Sequence, residues 1–197
     1  MAELNEHEAL VALDEFSLQS TPYTNYAWAE RNTKPSIWSD ERHRKKLNAF
    51  LTVDVQRGDT RVDFNKQCNS EEVAAVVVLT ILVFLNKGLN KITFLLDNAR
   101  THGNKMKKRV KELLAEMAIP EYSVGYWHTP KYSPKLNPAE YIIHAVRRNG
   151  LYNVPCNLSV EEKADRIQKQ LARGSPMNDK QMRNLIDFIA RTKVKRF

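Results

Sequence analysis

The chain has only two cysteines, Cys68 and Cys156, and neither belongs to a Cys-x-x-Cys pair. Two isolated thiols exclude a disulfide framework and a zinc-ribbon site, and they are typical of a reducing compartment. No apolar run is long enough to cross a membrane. The longest, residues 73–85, includes Thr80 and falls short of the ~18 residues a spanning helix needs. The N-terminal Met1-Ala2-Glu3-Leu4-Asn5-Glu6 is acidic and polar, so no signal peptide is expected there. Walker-type phosphate loops, Gly-rich dinucleotide fingerprints and Ser/His/Asp triads are all missing, which excludes the common nucleotide-dependent and acyl-transfer chemistries. Internal repeats and low-complexity tracts are absent too. The expectation is a soluble intracellular protein.

Positive charge is abundant. The 197 residues carry 31 Lys and Arg against 23 Asp and Glu, a net charge of +8 and a pI near 9.5. Such a surface favours a polyanionic partner, nucleic acid being the commonest, although it also serves solubility. The length suits one domain with a sizeable core.

Periodicity and end signals give the elements. Strands are predicted over 8–18, 25–30 and 47–55, the first two joined by a turn at Thr21-Pro22-Tyr23 and the third followed by a turn at Gly58-Asp59. A helix is predicted over 71–87, with Asn69 or Ser70 as its cap and Gly88 to end it. An apolar strand over 91–97 follows, as buried parallel strands read. An amphipathic helix over 105–117, a strand over 122–127, and helices over 138–149, 159–172 and 179–191 complete the chain. A meander followed by alternating helices and strands predicts an α/β fold with a mixed sheet flanked by helices.

Three carboxylates stand out against this background. Asp14 interrupts the apolar Leu10-Val11-Ala12-Leu13-Asp14-Glu15-Phe16, and Asp97 ends Ile92-Thr93-Phe94-Leu95-Leu96-Asp97-Asn98. Glu140 lies in Tyr132-Ser133-Pro134-Lys135-Leu136-Asn137-Pro138-Ala139-Glu140, where Pro138 suits a helix's first turn. A carboxylate within a buried strand is costly unless it is paired or holds a metal. If their strands are neighbours in the sheet, the two aspartates and a glutamate on a following helix would form a donor set for Mg²⁺, which takes oxygen ligands and keeps several waters. Two such ions about 4 Å apart can activate an attacking oxygen and stabilise a leaving one in phosphodiester displacement. Asp54, also strand-borne, is read as structural.

The segments LDEF, LLDNARTH and YSPKLNPAE resemble the DDE transposases of the IS630/Tc1/mariner superfamily, over residues 10–149. The resemblance implies an RNase H-like catalytic domain over 1–150, with 151–197 a C-terminal helical extension packed on it. It implies Asp14, Asp97 and Glu140 as the catalytic, metal-holding carboxylates, with Mg²⁺, or Mn²⁺ in its place, as a pair of ions. The activity implied is cleavage at transposon ends and joining of the freed 3′-hydroxyl to target DNA. The partners implied are DNA, a helix-turn-helix-bearing transposase portion and a second copy of the chain. Asp97 and Glu140 stand 43 positions apart, longer than the mariner gap and closer to the IS630-like side, which points to a bacterial host. The chain begins about a dozen residues before Asp14, so a helix-turn-helix module is not expected ahead of it. Two other readings are a catalytically silent DNA-binding or regulatory relic, and an RNase H-like nuclease acting on RNA–DNA hybrids.

Supporting residues follow from the same motifs. Asn98 is a candidate to orient Asp97 or a bound water, or to cap the next loop. His102 matches a histidine that often follows the second aspartate, with packing the competing role. His144 lies one helical turn after Glu140, with packing the expected role. Glu15 points away from Asp14 in a strand and is read as a surface or supporting residue. Arg42, Arg44, Lys45, Lys46, Lys131, Lys135, Arg147 and Arg148 are candidates for DNA phosphate contact. The tail 191–196 is basic without a defined role.

Overall fold

The strand β1 (Glu8–Gln19) is apolar on both faces, so it has to be covered from two sides. Leu10, Ala12, Phe16 and Leu18 point one way, and Ala9, Val11 and Leu13 the other, following the two-residue period of a strand. Each set seeds a separate core, and the fold is a sheet sandwiched between helices. The computed structural model describes residues 7–23, 28–33, 45–119, 123–152, 154 and 157–191, the side chains at 123, 179 and 189–191 excepted.

The sheet also contains β2 (Lys46–Asp54), β3 (Thr60–Asn65), β4 (Lys91–Leu96) and β5 (Ser123–His128), in the order β3-β2-β1-β4-β5. The pairs β1–β2 and β2–β3 are antiparallel, whereas β1–β4 and β4–β5 are parallel. Parallel pairing requires crossovers. The helix α1 (Ser70–Asn86) lies between β3 and β4, and α2 (Asn104–Glu116) between β4 and β5. Both pack on the face of Val11 and Leu13, with Val73, Val77, Ile81, Phe94, Met106 and Val110 fully or nearly fully buried. The other face is covered by α3 (Pro138–Val146), α4 (Val160–Ala172) and α5 (Asp179–Arg191), through Ile142, Val146, Ile167 and Met182 among others. Each fully buried Leu, Ile or Phe contributes roughly 1.5–3 kcal/mol.

Local chemistry sets the helix ends. The Asn69 side chain accepts from the N–H groups of Glu71 and Glu72, and Gly88 leaves α1 in the left-handed region at φ +80°. Ser159 and Glu162 form a reciprocal capping box at α4. Asn137 caps α3 by accepting from Ala139 N–H, with Pro138 in the first turn.

The structure corrects three expectations. Residues 28–30 are not a strand, and 24–27 lie outside the described residues; the third strand of the meander is β3. β3 escapes a reading of hydropathy because it is short and at the sheet edge, with only Val62 buried in Thr60–Asn65. The helix expected to reach residue 149 stays α-helical only to Val146, then widens into one π-helical turn, Arg147–Leu151. Among the described residues no helix is long and apolar enough to cross a membrane.

Candidate active site

Register brings the two aspartates together. Ala12 of β1 pairs in parallel with Leu95 of β4, and two further steps along each strand reach Asp14 and Asp97. Asp97 lies just past the carboxyl end of β4, and Asp14 just past the stretch of β1 that pairs with β4, at the side of a parallel sheet where ligands commonly bind. Asp14 falls on the even-numbered face of β1 that carries α3, and α3 presents Glu140 in its first turn. All three carboxylates line one open cleft of about 720 Å³, with Asn98, Arg100, Thr129, Lys131, Tyr132 and Asn137 among its other walls. They share the cleft but not a single cage: no three His, Cys, Asp or Glu side chains among the described residues are grouped tightly enough to hold a metal by themselves.

Asp14 is the buried member, 8% exposed. Its Oδ1 accepts the Glu15 N–H at 2.8 Å, and its Oδ2 accepts from Asn137 Nδ2 at 3.1 Å. Among the described residues neither Asp14 nor Glu140 has an ion pair. Burial, followed by repulsion from Glu140, pushes the Asp14 carboxyl up to about 7. Asp97 goes the other way. A hydrogen bond from His102 holds it below the usual carboxylate range, helped by the Ala99 N–H at 2.8 Å. Two neighbouring carboxylates are thus driven apart in acidity, a pattern that marks functional sites more often than structural ones.

His102 is fully buried and bridges two acids. Its Nδ1 lies 2.7 Å from Asp97 Oδ1, and its Nε2 2.8 Å from Glu15 Oε1. Burial alone would lower its pKa, but the bonds to Asp97 and Glu15 outweigh that and push it up to about 10. The ring therefore carries both protons at neutral pH and donates to both carboxylates. Glu15 points to the face opposite Asp14, as alternation requires, and there it anchors the histidine that orients Asp97.

Asn98 donates to the Thr129 carbonyl at 2.6 Å, tying the ends of β4 and β5 together rather than reaching Asp97. His144 is exposed, so the expected packing role fails, and it is absent from the cleft walls. Asp54 caps a turn: it accepts from the N–H groups of Gln56 and Arg57 and pairs with the Arg57 guanidinium at 3.2 Å. Asn137 is not among the sequence candidates, yet it joins Asp14 to the cap of the helix bearing Glu140. Its signal was the Asn-Pro pair opening that helix. Glu15 was undervalued because alternation gives a face but not a partner 87 residues away.

The basic candidates divide. Lys131 lines the cleft, and Lys135 is exposed on the same loop. Lys45 and Lys46 are exposed beside the carboxyl end of β1, Lys46 pairing with Gln19. Arg147 is half-buried with its guanidinium 5.5 Å from the Phe16 ring, and Arg148 is exposed beside Asn149. Arg42, Arg44 and Cys156 lie outside the described residues, as does the tail beyond 191, and Cys68 is an exposed thiol.

Comparison with known proteins agrees with this construction. Among solved structures, the chain is similar to the mariner Mos1 paired end complex with Mg, at a TM-score of 0.64 and 16% identity over 93% of this chain. It is likewise similar to the Mos1 strand transfer complex, at 0.61 and 18%. It spans about half of those chains, 53% and 52%, and at such identities the likeness establishes the RNase H-like fold alone. No curated protein sequence matches the chain significantly. The family model described as DDE superfamily endonuclease matches residues 9–158, well over half of the sequence. The chain belongs to the DDE superfamily endonucleases.

Proposed function

We propose that this endonuclease chain is the catalytic domain of a transposase of the IS630/Tc1/mariner kind, which cuts DNA and joins the freed 3′-hydroxyl to a target. The observation that carries the reading is the convergence of Asp14, Asp97 and Glu140, from two parallel strands and one helix, on a single open cleft. Family membership supplies the endonuclease activity, and the likeness to Mos1 complexes with Mg and with Mn supports the divalent cation. A helix-turn-helix portion and a second copy of the chain are the partners this reading calls for, with DNA ends and target as substrate.

The residues present fit a hard divalent cation. A buried carboxylate repelled by neighbouring acids is raised to about 7, and a cation would relieve that surplus of negative charge. Mg²⁺ is commonly held by one or two carboxylates with phosphate and water oxygens filling the rest, so a set of carboxylates spread along an open cleft suits it. Asp14, Asp97 and Glu140 would hold it. The chemistry such an ion or pair of ions would supply is activation of the attacking oxygen and stabilisation of the leaving one. The chain's own part is positional. Asn137 and the Glu15 N–H fix the two oxygens of Asp14, His102 fixes Asp97, and Lys131 and Arg100 offset phosphate charge along the cleft wall.

Two results are expected. A carboxyl with a higher pKa folded than unfolded favours folding when protonated. Asp14 therefore contributes stability that is full below pH 3.8 and lost as pH rises through about 7. His102 contributes stability that is full below pH 6.5 and lost through about 10. Asp14 would have to give up its proton to hold Mn²⁺, so the rise in thermal midpoint on adding Mn²⁺ should grow with pH up to about 7 and then level off. A flat profile across pH 5–8 would remove Asp14 from the cation site. Second, Glu15→Gln should lower metal-dependent nicking of plasmid DNA by about 10–100-fold while DNA affinity holds. An unchanged rate would reduce the His102 bridge to a packing feature. The proposal as a whole is tested by nicking with and without Mg²⁺, a helix-turn-helix partner supplied in trans where needed.

A further inference from the structure

One aromatic side chain in the cleft is exposed in a way that packing does not explain. Tyr132 is 101% exposed, yet it lines the same cleft as Asp14, Asp97 and Glu140. Its backbone sits in the left-handed region at φ +57°, where bulky residues are genuine outliers and Gly or Asn is the ordinary occupant. Such strain persists only where the surroundings over-determine it, and it gathers at functional sites. Here several contacts tie the loop down. Pro130 and Pro134 bracket the loop, Leu136 N–H bonds to the Ser133 carbonyl, and the Tyr141 hydroxyl donates to the Lys135 carbonyl at 3.2 Å. A ring is thus presented to solvent by a hydrogen-bonded loop, beside Lys131 and Arg100 on the same wall. The other large exposed rings among the described residues, Trp28 before β2, Trp127 on β5 and Phe188 on α5, are outside the cleft.

We propose that Tyr132 is a stacking platform for a nucleobase that has left the duplex stack beside the phosphate being cut. The inference rests on the DNA-cutting reading and extends it to how the strand is held. Cations along the wall take the backbone, while a protruding phenol ring offers an apolar face to any base, which is how proteins grip unpaired bases without reading sequence. Unstacking one base would bend the strand and bring its phosphate down towards the carboxylates. Because every base has a π-face, Tyr132 would add affinity for distorted DNA and little sequence preference.

The test uses the full chain with Ca²⁺ and two DNA duplexes of one sequence. One carries 2-aminopurine opposite an abasic site, so that the base is free to unstack; the other is fully paired. The unaltered chain should bind the first more tightly and quench its 2-aminopurine fluorescence. Tyr132→Ala should lose the quenching and about tenfold of that affinity, with less than about a twofold change on the paired duplex. Tyr132→Trp should restore both. Tyr132→Gly, relieved of the left-handed strain, should melt at or above the temperature of the unaltered chain while binding as poorly as the Ala variant, which separates lost binding from lost folding. Equal weakening on both duplexes, or no weakening on either, overturns the proposal. A chain that cuts DNA but does not discriminate the duplexes overturns the stacking role alone; one that neither binds nor cuts overturns the DNA-cutting reading with it.

Discussion

Asp14→Asn is expected to abolish metal-dependent strand cleavage, by on the order of a thousandfold or more, and at the same time to raise the melting temperature at pH 8. The two effects have one cause. At pH 8 the buried carboxylate is ionised against burial and against Glu140, and a pKa of about 7 against the ordinary 3.8 corresponds to about 4 kcal/mol of disfavoured charge. The amide is neutral and removes that cost. It keeps the acceptor for the Glu15 N–H but sets an NH₂ group against Asn137 Nδ2, which cannot turn over because its Oδ1 holds the Ala139 N–H. Losing that bond costs about 1 kcal/mol. The balance is a gain of roughly 1–3 kcal/mol, or several degrees in a domain of this size. A residue kept for stability would show the opposite sign. Asp97→Asn and Glu140→Gln should also stop cleavage, though Asp97→Asn forfeits the His102 pair and should gain no stability. Retained nicking in any of the three would remove that residue from the site.

Lys163→Met is expected to be among the most destabilising single changes, at about 3 kcal/mol, or roughly 6–12 °C in melting temperature. Lys163 on α4 is fully buried, and its ammonium donates to the carbonyls of Gln19, Ser20 and Thr21 at 2.7, 2.8 and 3.1 Å. It also lies 5.5 Å from the Tyr23 ring, whose hydroxyl donates to the Ser17 carbonyl and accepts the Gln19 N–H. One cation therefore gathers the chain as it leaves β1, the strand that carries Asp14, and fastens it to a helix more than 140 residues later. Methionine keeps the stem but leaves three carbonyls without that donor, and the buried Ser20 has little water to turn to. Urea unfolding measures the loss directly; a change under about 1 kcal/mol would mean that the carbonyls find other partners. Glu15→Gln, by contrast, should act mainly on rate.

Much of this was legible in the sequence, and the reasons differ by element. Strand β1 could be read because apolar residues fill both of its faces, and α1 because Asn69 and Gly88 mark its ends. The strand β3 could not, since an edge strand with one buried residue gives hydropathy almost nothing to report. Asp14 and Asp97 were visible as charges misplaced in apolar strands, whereas their adjacency depends on the β1–β4 register, a long-range property. The His102 bridge is also long-range: its partners lie five residues before it and 87 before it, and only the fold makes them neighbours. His144 shows the opposite limit, for helical spacing put it on the side of Glu140 without saying whether anything covered that side. Tyr132 was part of a quoted motif, but neither its exposure nor its backbone conformation is written in the motif.

The most direct test of the central claim is a crystal structure of the chain with Mn²⁺ and a short DNA duplex, read by anomalous scattering. The account predicts a peak within coordination distance of Asp14 and Asp97, with Glu140 facing it and a phosphate oxygen completing the shell. Ordered DNA in the cleft with no peak at the aspartates, or Mn²⁺ bound elsewhere on the chain, would contradict it.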